Sequence, residues 1–342
     1  MSERSLIQYV KRLIQLVWVL IICVVGSTAL FLSDAMGLLS FQTKESELKA
    51  LASNHSASEK KARWQAPDTS AIPNDSRGDL IRYGRELIAH TSVYLGPKGK
   101  VRKISNGLNC QNCHLKAGTV PFGNNYARVA SSYPKRRNRS GTVEGFVERV
   151  NGCFERSLNG QPLEPDSREM QAMVAYLKWV GKDVEKGETL LGLGLVKLTF
   201  LDRPADPIKG KSVYDSYCAR CHGEEGEGQL AESGLEWIYP PLYGDDSYNY
   251  GAGLYRLSKF ASYVKANMPY GVTFENPFLT DEEAWDVAAY VNSMPRPEKD
   301  LIADWPNITK KPVDHPFGPY ADNFTEEQHK YGPFPPIIAA RE

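Results

Sequence analysis

Two short stretches of this chain carry cysteine and histidine at a spacing that does chemistry: Cys110-Gln111-Asn112-Cys113-His114 and Cys218-Ala219-Arg220-Cys221-His222. Cys-x-x-Cys-His is the attachment spacing of c-type haem, with two thiols for the vinyl groups and a histidine that falls under the iron. A zinc site would gather paired Cys and His clusters in one place, and these two motifs stand about a hundred residues apart. The motifs therefore predict two covalently attached haem c groups, held by Cys110, Cys113, Cys218 and Cys221, with His114 and His222 as the proximal iron ligands.

Each haem then needs a sixth ligand. In the second half Met268 stands between the motif and a closing helix, where a thioether would stabilise Fe(II) and raise the potential. Lys265 and Met294 are the alternatives there. The first half offers no such methionine, because Met170 and Met173 fall on the buried stripe of a helix. What stands in the loop-side position is Cys153. Arg149, Cys153 and Ser157 follow at i, i+4 and i+8, so a helix brings them toward one face. An arginine one turn from a thiol favours the thiolate, and a hydroxyl one turn on can bond an anion. Cys153 is thus the expected axial ligand of the first haem, a strong donor that keeps that haem at low potential.

The chain has 342 residues with 41 Lys plus Arg and 41 Asp plus Glu, a length that fits two domains. Balanced charge argues against nucleic acid as a partner, and any pull on an anionic substrate must be local. An apolar run from Leu13 to Leu32 follows Arg4, Lys11 and Arg12. Its length suits a membrane-spanning helix, and the preceding basic residues put the N-terminus in the cytoplasm. The expected organisation is an anchor or cleaved signal at 1–35, a polar linker at 36–75 and a first haem domain at 76–189. A Gly- and Pro-punctuated connection at 190–206, a second haem domain at 207–300 and a wrapping tail at 301–342 complete it. His55 reads as solvated, and His90, His315 and His329 as structural.

Each half runs helix, motif, loop with a sulfur, closing helix. Leu80, Tyr83, Leu87 and Ile88 lead into the first motif, with Pro121 placed to pack beside the proximal histidine. A helix within Gly141 to Gly160 carries Cys153, and Met170, Met173, Val174, Leu177 and Val180 mark the closing helix. In the second half Val213, Tyr214 and Tyr217 precede the motif, Pro240-Pro241 marks a turn, and Thr280 with Glu283 forms a capping box before the last helix. The fold class is mainly α: two tandem cytochrome c-like domains behind an N-terminal transmembrane helix, with an irregular C-terminal tail.

From about residue 76 onward the sequence resembles the dihaem thiosulfate dehydrogenases, which join two thiosulfates into tetrathionate. The residues that carry the likeness are Asn109 to Gly118 around the first motif, Glu148-Arg149-Val150-Asn151-Gly152-Cys153-Phe154-Glu155-Arg156-Ser157, Asn267-Met268-Pro269, and Pro312 to Tyr320. The resemblance implies a catalytic first haem with His114 and Cys153, an electron-transfer haem with His222 and Met268, and an anion site lined by Arg139, Arg149 and Ser157. It implies that Cys153 leaves the iron and bonds the outer sulfur of one thiosulfate, which a second thiosulfate then attacks. Implied partners are thiosulfate and tetrathionate and a cytochrome c or other periplasmic electron carrier; the apolar run adds the inner membrane, on its periplasmic side, a departure from the many members that are soluble in the periplasm. A soluble periplasmic form after signal cleavage is the alternative. Some members of that family carry a lysine next to the methionine, where this chain has Asn267. Two other functions fit the motifs: a membrane-anchored dihaem electron shuttle without catalysis, and a sulfur-transfer cytochrome with a Cys-ligated haem.

Overall fold

The computed structural model describes residues 11–12, 14–25 and 63–342. It divides into two units, Met1–Arg63 and Trp64–Glu342. In the first unit residues 11–12 and 14–25 are helical and exposed. Among the described residues no helix is long and apolar enough to cross a membrane. The end of the apolar run, most of the expected linker and His55 lie outside the described residues.

The second unit holds two helical lobes, each built round one pair of crossing helices. In the first, α1 (Ser76–Ala89) packs on α3 (Arg168–Val180), and α2 (Phe146–Arg156) lies between them in sequence. In the second, α4 (Pro207–Tyr217) packs on α6 (Asp281–Ser293), and α5 (Leu257–Asn267) lies beside α6. The starts are written in the sequence. Asp75 and Ser167 accept from the third residue of α1 and α3, and Asp206 caps α4 ahead of Pro207. Thr280 and Glu283 close a reciprocal box on α6, with Glu283 N donating to Thr280 Oγ1 at 3.1 Å and Thr280 N to Glu283 Oε2 at 2.8 Å.

The two helix crossings are built alike. A Cβ on Gly84 of α1 would lie 1.9 Å from the Ala172 carbonyl oxygen and 2.9 Å from Tyr176 Cβ. A Cβ on Gly210 of α4 would lie 1.9 Å from the Asp286 carbonyl oxygen and 2.9 Å from Tyr290 Cβ. Each pair of backbones approaches so closely that only glycine fits, and a tyrosine four residues on fills the next turn. The buried residues Leu87, Ile88, Met170, Met173, Leu177 and Val180 form the first core with Phe154. Tyr214, Trp285, Ala288 and Val291 anchor the second, with Phe260 of α5.

The segment before the Cys153 helix is no helix. Lys135–Arg136 pairs antiparallel with Val143–Glu144 in a small ribbon, so the helix starts only at Phe146. Trp64 and Ile72 are buried in the first core, while Leu195, Leu198, Phe200 and Leu201 pack on the second. The tail wraps the second lobe, with short helices α7 (Glu326–Tyr331) and α8 (Pro335–Ala339), and it is part of the core: Phe334 and Ile337 are fully buried. Buried His329 is held between the Val313 carbonyl and Asp322, and buried His315 faces the Phe317 carbonyl.

Candidate functional site

His114 and Cys153 line one cavity of about 370 Å³ in the first lobe, together with Cys110. The His114 ring is fixed from both sides. Its Nδ1 contacts the Asn124 carbonyl, and its face stacks on Tyr126 with centroids 4.4 Å apart. Donation from Nδ1–H leaves Nε2 as the free lone pair. Burial lowers the His114 pKa to about 4, with Arg149 acting in the same sense, so the ring stays neutral as a metal ligand must. The carbonyl that orients it belongs to Asn124. In the second lobe the carbonyl is a proline's: His222 Nδ1 meets the Pro240 carbonyl at 2.8 Å.

On α2, Arg149 Nη1 donates to Cys153 Sγ at 3.1 Å. The sulfur's negative character raises the Arg149 pKa above its ordinary value against the opposing effect of burial. Ser157 is the C-cap of that helix and does not line the cavity. The reason is helical: four residues turn the helix about 40° past a full turn and eight turn it about 80°, so the third member of the series drifts off the face. Arg139 is placed elsewhere too. Its Nη1 donates to the Gly251 carbonyl at 3.0 Å, its guanidinium lies over the Trp305 ring, and Asp304 is 4.0 Å away. It ties the first lobe to the second lobe and tail.

The cations that do reach the cavity are Arg128 and Lys135, with Arg149. Among the described residues, no aspartate or glutamate lines it. Lys135 is exposed at the ribbon, and its pKa is lowered by partial burial and then by Arg137 and Arg149. A chain with balanced overall charge thus concentrates positive charge where a dianion would approach a sulfur. Lys135 stands in the basic segment visible in the sequence, but nothing there distinguishes it from its neighbours. Arg128 and Tyr133 carried no signal at all.

The second cavity, about 640 Å³, is lined by Cys218, Cys221, His222 and Met268. Met268 directly follows α5. Lys265 is turned away, its Nζ bonded to the Leu279 carbonyl at 2.7 Å and paired with Asp281 at 2.7 Å. Met294 packs on the second core without lining the cavity. Both cavities fall within the roughly 300–1,000 Å³ range of cofactor pockets. Cys110, His114 and the Cys153 sulfur meet at the first, and Cys218, Cys221, His222 and the Met268 sulfur at the second, donor sets that fit haem c. The two are neighbours: Cys110 lines the first, whereas Cys113 and Leu115 line the second.

Known proteins carry the same division. The SoxA/TsdA cytochrome c domain model matches residues 100–185, and the cytochrome c model matches residues 208–295. A thiosulfate dehydrogenase of Psychrobacter arcticus is 37% identical over 276 residues, covering 80% of this chain and 81% of that protein. Those of Stutzerimonas stutzeri and Allochromatium vinosum are 36% and 35% identical, covering 69% and 68% of this chain and 73% and 83% of theirs. Among solved structures, thiosulfate dehydrogenase (TsdBA) of Marichromatium purpuratum in its as-isolated form is similar, with a TM-score of 0.63 and 34% identity. That match covers 69% of this chain and 50% of the other, so this chain spans half of that one's length. The two lobes are cytochrome c domains, and the cofactors are two covalently bound haem c groups. With relatives this similar along most of its length and of theirs, the chain belongs to the thiosulfate dehydrogenase family.

Proposed function

We propose that this protein oxidises two thiosulfates to tetrathionate at the first cavity and passes the two electrons outward through the second lobe. The observation that carries the reading is the Arg149–Cys153 contact at 3.1 Å, in a cavity shared with His114 whose charged lining residues, among those described, are the cations Arg128, Lys135 and Arg149. When bound, the two haems supply a one-electron acceptor each. His114 and Cys153 would hold the first, and His222 and Met268 the second.

Lys135 and Arg128 draw the dianion in, and Arg149 holds it by charge-assisted hydrogen bonds beside Cys153 Sγ. A bond forms between Cys153 Sγ and the outer sulfur of one thiosulfate, with loss of two electrons. The outer sulfur of a second thiosulfate then attacks that same sulfur. The Cys153–sulfur bond breaks, tetrathionate leaves, and the thiolate is restored, as in thiol–disulfide exchange. The reverse sequence reduces tetrathionate. Arg139 and Ser157 act from outside the cavity, Arg139 by fixing the lobe contact and Ser157 by ending α2 behind Cys153.

The same reading places the catalytic unit on the periplasmic side of the inner membrane, with residues 13–32 as its anchor and a periplasmic electron carrier, such as a cytochrome c, as its acceptor. The test is anaerobic addition of thiosulfate to the purified dihaem protein. Haem reduction with one tetrathionate formed for every two electrons is expected. Haem reduction without tetrathionate, or a product that needs a carrier protein, would move the assignment to an electron shuttle or a sulfur-transfer cytochrome.

A further inference from the structure

The loop from Val120 to Asn124 touches both lobes through its backbone carbonyls. The Asn124 carbonyl holds the ring of His114. Two residues earlier, the Phe122 carbonyl accepts from Asn267 Nδ2 at 3.1 Å. Asn267 is the last residue of α5, and Met268 follows it directly. The same carboxamide also donates to the Tyr263 carbonyl at 2.9 Å, and its residue is only 7% exposed.

The loop is held firmly enough to act as a reference. Phe122 and Asn124 both have left-handed backbones, with φ of 54° and 55°. Such conformations persist in non-glycine residues only where the surroundings determine them. Phe122 N donates to the Gly192 carbonyl at 2.7 Å and Asn124 N to the Gly194 carbonyl at 3.0 Å. The Phe122 ring meets Phe274 edge-on at 4.7 Å, so the loop grips the chain both before and after Met268. A second tie runs the same way: Tyr263 OH donates to the Asn112 carbonyl, inside the first motif, at 3.0 Å.

The helix alone asks for none of this. A bond from Asn267 to Tyr263, one turn back, uses one N–H of the carboxamide within α5, and the other N–H is free to reach beyond the helix. The bond to Phe122 crosses to the other lobe. We propose that Asn267 is a positioning residue for Met268: its carboxamide clips the sixth-ligand segment of the second haem to the loop that orients the proximal histidine of the first. This rests on Met268 being that ligand. Loosening the clip raises the fraction of protein with Met268 off, and loss of a thioether ligand lowers the potential.

The experiment uses the holoprotein carrying Asn267→Ser, whose hydroxyl can still bond the Tyr263 carbonyl but is too short for Phe122. Imidazole is titrated against the near-infrared methionine-to-ferric-haem band, and both midpoint potentials are read by spectroelectrochemistry. Imidazole should displace methionine roughly 2–10-fold more readily, the net worth of one hydrogen bond. The second haem's midpoint should fall and the first haem's should not. Tyr263→Phe, which removes only a hydroxyl, should act in the same direction. Unchanged imidazole affinity in Asn267→Ser, or an equal shift of both midpoints, would overturn the clip. Absence of the methionine band from the wild-type protein would instead remove Met268 as the ligand.

Discussion

Arg149 Nη1 lies 3.1 Å from Cys153 Sγ, one turn away on the same helix and facing the same cavity as His114. The pair separates two roles that variants can resolve. Cys153→Gly should abolish thiosulfate oxidation while both haems stay attached, because attachment uses Cys110, Cys113, Cys218 and Cys221. Arg149→Ala should weaken substrate binding by about 1.5–3 kcal/mol, the worth of one charged hydrogen bond. Steady-state kinetics with a pyridine haemochrome assay reads both, and full turnover by Cys153→Gly would leave the mechanism without its central residue.

Lys135 and Arg139 stand four residues apart in one basic segment and should behave differently. Lys135→Ala removes a cation from the cavity, so KM for thiosulfate should rise and depend less on ionic strength. Arg139→Ala removes the bond to the Gly251 carbonyl and the contact with Trp305, so Tm should fall while KM holds. Thermal melts and salt-dependent kinetics on the two variants decide the matter. A raised KM in Arg139→Ala with no change in Tm would return that arginine to the substrate.

The tail makes stability sensitive to acid. Burial, aided by Lys311, lowers the His315 pKa to about 4. An unfolded histidine titrates near pH 6.5, so above that value both states are neutral and the full stability is present. As pH falls from about 6.5 to about 4 only the unfolded chain takes up the proton, and stability is lost over that window, by something on the order of 3 kcal/mol. His315→Gln should flatten the dependence of Tm on pH across that window. A wild-type Tm that is constant through it would contradict the assignment.

The glycine crossings predict a matched pair of stability effects. Gly84→Ala and Gly210→Ala each force a methyl group against a backbone carbonyl oxygen, and overpacking of this kind costs about 1–3 kcal/mol. Gly152→Ala, on α2 with open space around its Cβ position, is the control and should be neutral or slightly stabilising. Chemical denaturation of the three variants provides the comparison.

The covalent chemistry of this protein was local and therefore legible from sequence. The Cys-x-x-Cys-His spacing is a property of five consecutive residues, and the Arg149–Cys153 pair of one helical turn. Helix starts were legible for the same reason, since a cap such as Thr280 with Glu283 involves neighbours in the chain. What the tertiary structure decided was everything that depends on which way a segment faces. Lys135 faces the cavity and Arg139 the other lobe, because a two-stranded ribbon turns the basic segment before the helix begins at Phe146. The Asn124 carbonyl orients His114, and Asn267 reaches Phe122 from 145 positions away. No pattern along the chain encodes such a contact: hydrogen-bond partners so far apart in sequence are chosen by the packing of the two lobes, and that packing exists only once both cores have formed.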